Sequence, residues 1–279
     1  MSLKAMQVNP KSFDKSQLKF YAILLPLSFF MILPVVYTFS SALKPLDELF
    51  LFPPRFLVQK PTLQNFNDLF RAATTTGVPM SRYLFNSILI TVLFITATIV
   101  ITTSTGYALS KKEYRGKRLI FRINQTALMF VAIAVAIPRY LIIDGLGMND
   151  SWIVHVIPYL AMPVGLFLVK QFIDQVPDEL IEAAKIDGAN DWNILFKIII
   201  PLVKPALATV AILAFQFIWN SSESSNIYII TETKKTFVFY LSTLTNVQNS
   251  VAGAGMQAAA TLIMFLPNLI SYYCISIVL

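Results

Sequence analysis

This 279-residue chain contains one cysteine, one histidine and only 13% charged residues. A lone Cys274 cannot close an internal disulfide, and with His155 as the single imidazole no Cys/His zinc site can be assembled. Soluble domains carry about 25% charged residues, so a chain this poor in charge cannot cover a water-facing surface in the usual way. Carboxylates are missing from the interiors of the long apolar runs, where the ionisable groups include Arg122, Lys204, His155 and Cys274. Proton- or sodium-coupled transport depends on intramembrane carboxylates or charge relays, so their absence calls for another energy source. Paired carboxylates, a histidine cluster and a metal site are equally absent from these runs, which argues against an intramembrane enzyme.

What the chain has in abundance is apolar sequence, with 56% hydrophobic residues and a mean hydropathy of +0.65. Six runs stand out: Phe20 to Leu43, Tyr83 to Ser110, Leu119 to Ile143, Trp152 to Val169, Ile198 to Trp219 and Gly255 to Leu279. A membrane-crossing helix needs about 20 apolar residues, so the runs predict an all-α polytopic protein with six transmembrane helices over 20–279. The first run exceeds the 7–15 residues of a signal-peptide core and five similar runs come after it, so it reads as a retained span.

The +7 net charge is placed for topology, not for nucleic acid. Lys4, Lys11, Lys15 and Lys19 precede the first run, and Lys111, Lys112, Arg115, Lys117 and Arg118 lie between the second and third. Short-loop positive clusters mark the cytoplasmic side. They predict a cytoplasmic N-terminal segment, 1–19, cytoplasmic loops at 111–118 and 170–197, and outer loops that include 44–82 and 220–254.

The most informative segment is 175–201. Pro177 suits the start of a helix, Asp178 and Glu179 complement its positive end, and Gly188 suits a left-handed stop. A short helix, Asp178 to Asp187, is expected, with Leu180, Ile181, Ala183 and Ala184 gathered on one side, and then a second helix from Asp191 into Ile198, Ile199, Ile200 and Pro201. A small-residue face of this kind can enter a groove of another protein. It can also rest on lipid headgroups, and the residues alone fit both.

The spacing Glu182-Ala183-Ala184, three residues, Gly188, nine residues, Ile198, one residue, Ile200-Pro201 resembles the EAA motif of permease subunits in bacterial ABC importers, with Ile200 where leucine is usual. The likeness extends to Lys44-Pro45 through Pro53-Pro54, Asn65-Phe66, Asn86-Ser87, Tyr107-Ala108-Leu109 with Gly116, Ile137-Pro138, Gly145-Leu146-Gly147, Pro158-Tyr159-Leu160 and Trp219-Asn220. From about Phe20 to about Ile270 the chain is similar to carbohydrate-importer permeases of the maltose-transporter type.

That resemblance implies a bacterial cell-membrane subunit that forms half of a sugar path with a homologous second permease. It implies two ATP-binding subunits and an extracytoplasmic solute-binding protein as further partners. The EAA helix would be the coupling helix, with Leu180, Glu182, Ala183, Ala184, Asp187 and Gly188 as its ATPase-coupling residues. No sequence resembling G-x-x-x-x-G-K-[ST] is present, so ATP and Mg would be used by the partner subunits and this chain would bind no cofactor. A non-sugar solute such as a glycerol phosphate is the alternative cargo.

Candidate path residues are Gln216, Trp219, Asn220 and Gln257, whose aromatic face and amides suit sugar hydroxyls, although Trp219 also fits an interfacial aromatic belt. The hydroxyls of Thr91, Thr96, Thr98, Thr102, Thr103, Ser104 and Thr105 could line a path, but helix packing and backbone bonding are favoured for them. Gly253, Ala254, Gly255, Ala258, Ala259 and Ala260 read as a close-packing surface, with the second permease as one candidate partner. His155 reads as a packed or interfacial residue.

Overall fold

The computed structural model describes residues 18–71, 77–246 and 251–278. Residues 1–17 of the expected N-terminal segment, with Lys4, Lys11 and Lys15, therefore lie outside the described residues, as do 72–76, 247–250 and Leu279. Among the described residues the chain is helical and contains no strand.

The principal helices are α1 Leu18–Leu43, α2 Gln64–Arg71, α3 Met80–Lys111, α4 Lys117–Ala127, α5 Ala136–Gly145, α6 Pro163–Asp174, α7 Asp178–Ile186, α8 Lys204–Trp219, α9 Phe237–Asn246 and α10 Val251–Val278. The longest, α3, has 32 residues. At 1.5 Å per residue it extends about 48 Å, well beyond a hydrocarbon core of about 30 Å.

Among the described residues four helical stretches are long and apolar enough to cross a membrane: Phe20–Leu43, Met80–Lys111, Lys204–Ile227 and Gly253–Ser271. A fifth is a bent pair, Trp152–Tyr159 with Pro163–Asp174, whose halves meet at 51°. The break has a covalent cause, because Pro158 and Pro163 both remove backbone donors. The expected third span, Leu119 to Ile143, is not one helix. It comprises α4, a non-helical stretch leading to extended Val131 (φ −78°, ψ 132°), a 3-10 turn at Ala132–Val135, and α5. Neither glycine nor proline lies between Ala127 and Val135, so nothing local in the sequence marks this interruption.

The expected fifth span, Ile198 to Trp219, is also subdivided. A π-helical turn occupies Leu195–Ile199, a short turn Ile200–Leu202 comes next, and Val203 leaves helical geometry before α8 begins. Pro201 and Pro205 account for the change, since each lacks an N–H and crowds the turn before it.

Packing organises the bundle into two ends. At one end Tyr107 of α3, Val169 and Ile173 of α6, Ile181 of α7 and Val210 of α8 share a core with Ile194, Ile199 and Val203. At the other end Tyr83 of α3 stacks on Tyr240 of α9, with ring centroids 5.0 Å apart, in a core that includes Leu69, Phe237 and Leu262. The small-residue stripe on α10 is used internally: Ala259 and Ala260 are fully buried in this second core, and Gly255 packs against the Asn65 amide. Asn65 in turn donates to the carbonyls of Ala42 (2.9 Å) and Lys44 (2.7 Å), fastening α2 to the end of α1.

Candidate functional site

The segment 175–201, expected to couple to an ATPase, forms as a helix, a sharp turn and a second helix. Pro177 precedes α7 in an extended conformation (φ −58°, ψ 137°), and Asp178 and Glu179 occupy the first turn. At the other end Gly188 takes φ +81°. Its N–H donates to the Lys185 carbonyl (3.0 Å) and that of Ala189 to the Ala184 carbonyl (2.9 Å), the paired bonds of a Schellman stop. Asn190 caps the next short helix, Asp191–Ile194, through its side-chain oxygen, which accepts from Asn193 N–H at 2.8 Å.

The two faces of α7 divide the expected coupling residues. Ile181 and Ala184, the latter 9% exposed, are buried in the chain's own core with Ile194 and Ile199. Leu180, Glu182, Ala183, Asp187 and Gly188 are exposed. The face open to another protein is therefore built from Leu180 and Ala183, with Ala184 turned inward.

Three outward residues were not singled out by the sequence. Ile186 is 87% exposed, and Trp192 and Phe196 stack on each other at 6.0 Å in the open. Their apolar character and their spacing from Gly188 were the available signals, but a large apolar residue in a membrane protein is too common to mark a site alone.

The segment is fixed to its neighbours by charge. Lys111, at the end of α3, donates to Asp178 Oδ1 (2.8 Å) and to the Val176 carbonyl (2.5 Å), and Lys112 pairs with Asp191. The hydrogen bond from Lys112 holds the Asp191 carboxyl below its usual range. Ser110 donates to Asp174 Oδ1 at 2.5 Å, and Lys170 pairs with the same carboxylate at 2.6 Å.

The candidate path residues fall in more than one place, with Gln216 and Asn220 bonded to each other and Gln257 in a separate crevice. Trp219 is 4% exposed, stacks on Phe215 at 5.6 Å and donates its indole N–H to the Met264 carbonyl of α10 at 3.1 Å. It is a buried tie between α8 and α10. Gln216 and Asn220 are exposed, and the Asn220 amide donates to the Gln216 carbonyl at 2.8 Å. Gln257 lines a different space, a crevice of about 310 Å³ between α1 and α10 shared with Tyr37, Thr38, Ser41 and Thr261. The hydroxyls of Thr96, Thr102 and Thr103 donate to carbonyls one turn earlier, at 2.8, 2.7 and 2.6 Å, so they bond their own helix.

The far end is polar and densely bonded. Asp150 adopts a left-handed φ of 55° and accepts from Thr231 N–H (2.8 Å), Thr231 Oγ1 (2.5 Å) and Lys234 Nζ (3.1 Å). The Thr231 hydroxyl and backbone bonds, with Lys234, hold this carboxyl well below the carboxylate range. His155, fully buried, bridges Ser224 Oγ (2.7 Å) and the Lys234 carbonyl (3.0 Å), so it is a packed residue. Asn86 of α3 donates to the carbonyls of Thr233 and Lys235, both at 2.8 Å.

Residues 103–278, which include α7 and its Schellman stop, match the family described as the binding-protein-dependent transport system inner membrane component. The chain belongs to this family. It is thus a membrane-embedded component of a transport system. The trehalose transport system permease protein SugB of Mycobacterium tuberculosis is 32% identical over 193 residues, covering 68% of this chain and 68% of that protein. The inner membrane ABC transporter permease protein YcjP of Escherichia coli is 28% identical over 259 residues, covering 92% and 91%. The fold is shared with a chain of a bacterial ABC transporter involved in the import of the acidic polysaccharide alginate, with a TM-score of 0.82 and 24% identity over 96% of this chain and 99% of that one.

Proposed function

We propose that this component is the permease subunit of an ATP-driven importer for a sugar, of the oligosaccharide class, and forms half of the translocation path beside a homologous second permease. Two ATP-binding subunits hydrolyse ATP with Mg on the cytoplasmic side, and an extracytoplasmic binding protein delivers the sugar. The chain itself carries no ATPase site and binds neither cofactor nor nucleic acid. It lies in the bacterial cell membrane as a six-span subunit, α4 and α5 together forming the third crossing, with lipid around its apolar faces.

The observation that carries this reading is α7: a helix held rigidly by its own core, stopped by Gly188, and presenting Leu180, Ala183 and Ile186 outward. Small and apolar residues on a fixed arm suit a groove in a second protein. Lys111 and Lys112 pair with this arm and Arg115, Lys117 and Arg118 follow them in the same short loop, which supports a cytoplasmic α7 and a cytoplasmic N-terminus. The cargo class rests on the likeness to a relative named for trehalose transport. Hydroxyls and an amide in the Gln257 crevice are of the right chemistry for such a cargo.

Reconstitution in liposomes with the second permease, the ATP-binding subunits and the binding protein tests the reading, using a panel of disaccharides, oligosaccharides and glycerol 3-phosphate. The lone chain should show no hydrolysis. The full assembly should hydrolyse ATP faster when the binding protein is loaded with one of the sugars, and should accumulate that sugar when labelled. A response to glycerol 3-phosphate alone would refute the cargo class, and hydrolysis by the lone chain would refute the division of labour.

A further inference from the structure

The residues Ser110, Lys111 and Lys112 are consecutive, yet they reach three successive joints of the coupling segment. Ser110 holds Asp174, the last residue of α6, Lys111 holds Val176 and Asp178 at the entrance to α7, and Lys112 holds Asp191, which opens the next helix. Lys111 and Lys112 sit at the negative end of α3, and Asp178 and Asp191 each at the positive end of a helix, so these two ion pairs also match the helix dipoles. The Lys111 side chain is 7% exposed and Asp178 74%, so the bond to the Val176 carbonyl is the more shielded of its two. Close packing reinforces the joint, since a Cβ at Gly106 would lie 3.2 Å from Val169 Cγ1 of α6.

The opposite end of α3 is fastened in the same manner to the loop before α9. Asn86 donates to the Thr233 and Lys235 carbonyls, Tyr83 donates to Glu232 Oε1 at 2.8 Å, and Ser87 Oγ accepts from Phe237 N–H at 2.8 Å. Between the two fastenings α3 is continuous, and it is the only one of the four long apolar helices among the described residues that contains no proline. Proline removes a helix hydrogen bond and permits kinking, so its absence removes the commonest cause of a break in this helix.

We propose that α3 is a strut joining the coupling segment to the 231–237 loop on the opposite face, with Lys111, Lys112 and Asn86 as the positioning residues that make the three move as one body. This rests on the importer reading, in which ATP-binding subunits engage one face and a binding protein the other. The strut carries the state of the far loop to α7. Severing either fastening leaves both docking faces formed and weakens the connection between them.

The reconstituted assembly tests this through the ratio of ATP hydrolysis with and without binding protein, loaded with the sugar that the panel selects. Lys111→Met, Lys112→Gln and Asn86→Ala should each lower that ratio about three- to tenfold, the scale of one lost ordinary hydrogen bond. Subunit co-purification and basal hydrolysis should stay unchanged. Lys111→Arg and Lys112→Arg, which keep the cation, should retain the ratio. A merely structural role would lower assembly and basal hydrolysis together, and that pattern, or an unaltered ratio in all three variants, overturns the strut alone. Spin labels at Val100 and Lys185 in an otherwise unmodified Cys274→Ser assembly supply a second measurement. Their separation should be the same without nucleotide and with trapped ADP-vanadate, and a shift between the two states overturns the one-body motion. An unmodified assembly that fails to hydrolyse ATP overturns the importer reading and the strut with it.

Discussion

The indole N–H of Trp219 donates to the Met264 carbonyl at 3.1 Å, tying α8 to α10 with a residue whose type had suggested a sugar-stacking platform. The same carbonyl also accepts from the Asn268 amide at 3.1 Å, so it keeps a partner when the indole is removed. Trp219→Phe should therefore cost roughly 1–2 kcal/mol of stability through one lost hydrogen bond and lost packing. Thermal unfolding of the purified protein would register the loss, with the order of preference among transported sugars unchanged. Gln257→Ala, in the α1–α10 crevice, should show the reverse pattern: little change in stability and an altered preference.

Ala183 and Ala184 are adjacent in sequence and opposite in role. Ala184→Trp forces bulk into the core shared by Ile181, Ile194 and Ile199 and should destabilise the permease itself by roughly 1–3 kcal/mol. Ala183→Trp projects outward, so unfolding should be unaffected while co-purification of the ATP-binding subunits and uptake fall together. Equal loss of stability in the two variants would contradict the division of faces on α7.

Much of the coupling segment was legible from residue types because its devices are local. Asp178 and Glu179 at a helix start and Gly188 as a left-handed stop act over three or four residues, and the observed turn uses all of them. Which alanine faces inward depends on Ile194 and Ile199 arriving from the next turn, a tertiary fact. The interruption after Ala127 has no local marker at all. Lys111 and Lys112 were visible as members of a basic cluster, but their partners lie 67 and 79 residues away, beyond what spacing can pair.

Gly188→Val should leave α7 formed and misdirect the helix that begins at Asp191. Positive φ costs a residue with a Cβ roughly 1–2 kcal/mol, and a β-branched side chain tolerates it least. The expected result is a folded, membrane-inserted permease that retains the second permease and loses the ATP-binding subunits on co-purification. Gly188→Asn, which visits this region more readily, should retain more of them.

The Asp150 carboxyl sits below its ordinary pKa because Thr231 and Lys234 bond its ionised form. A carboxyl with a depressed folded pKa contributes stability that is complete above its unfolded value, about 3.9, and is lost as pH falls toward the folded one. The melting temperature should therefore owe no change to this group between about pH 5 and pH 8 and should fall in stronger acid. In Asp150→Asn it should be lower at neutral pH and less dependent on acid. An Asp150→Asn protein that matches the unmodified one at neutral pH would contradict the assignment.

Membrane orientation can be read with single cysteines in a Cys274→Ser background. Glu113 and Lys185 positions should react with an impermeant thiol reagent only from the cytoplasmic side, and a Lys60 position only from outside. Labelling of all three from one face contradicts the proposed topology.

The central claim is that the exposed face of α7 docks into an ATP-binding subunit, and a photo-reactive amino acid placed at Ala183 addresses it in intact membranes containing all subunits. The account predicts a cross-link to the ATP-binding subunit that is strong at Ala183 and lost when Gly188 is replaced by valine. Cross-links confined to lipid, or to the second permease, would show that α7 rests at the membrane surface and would contradict the account.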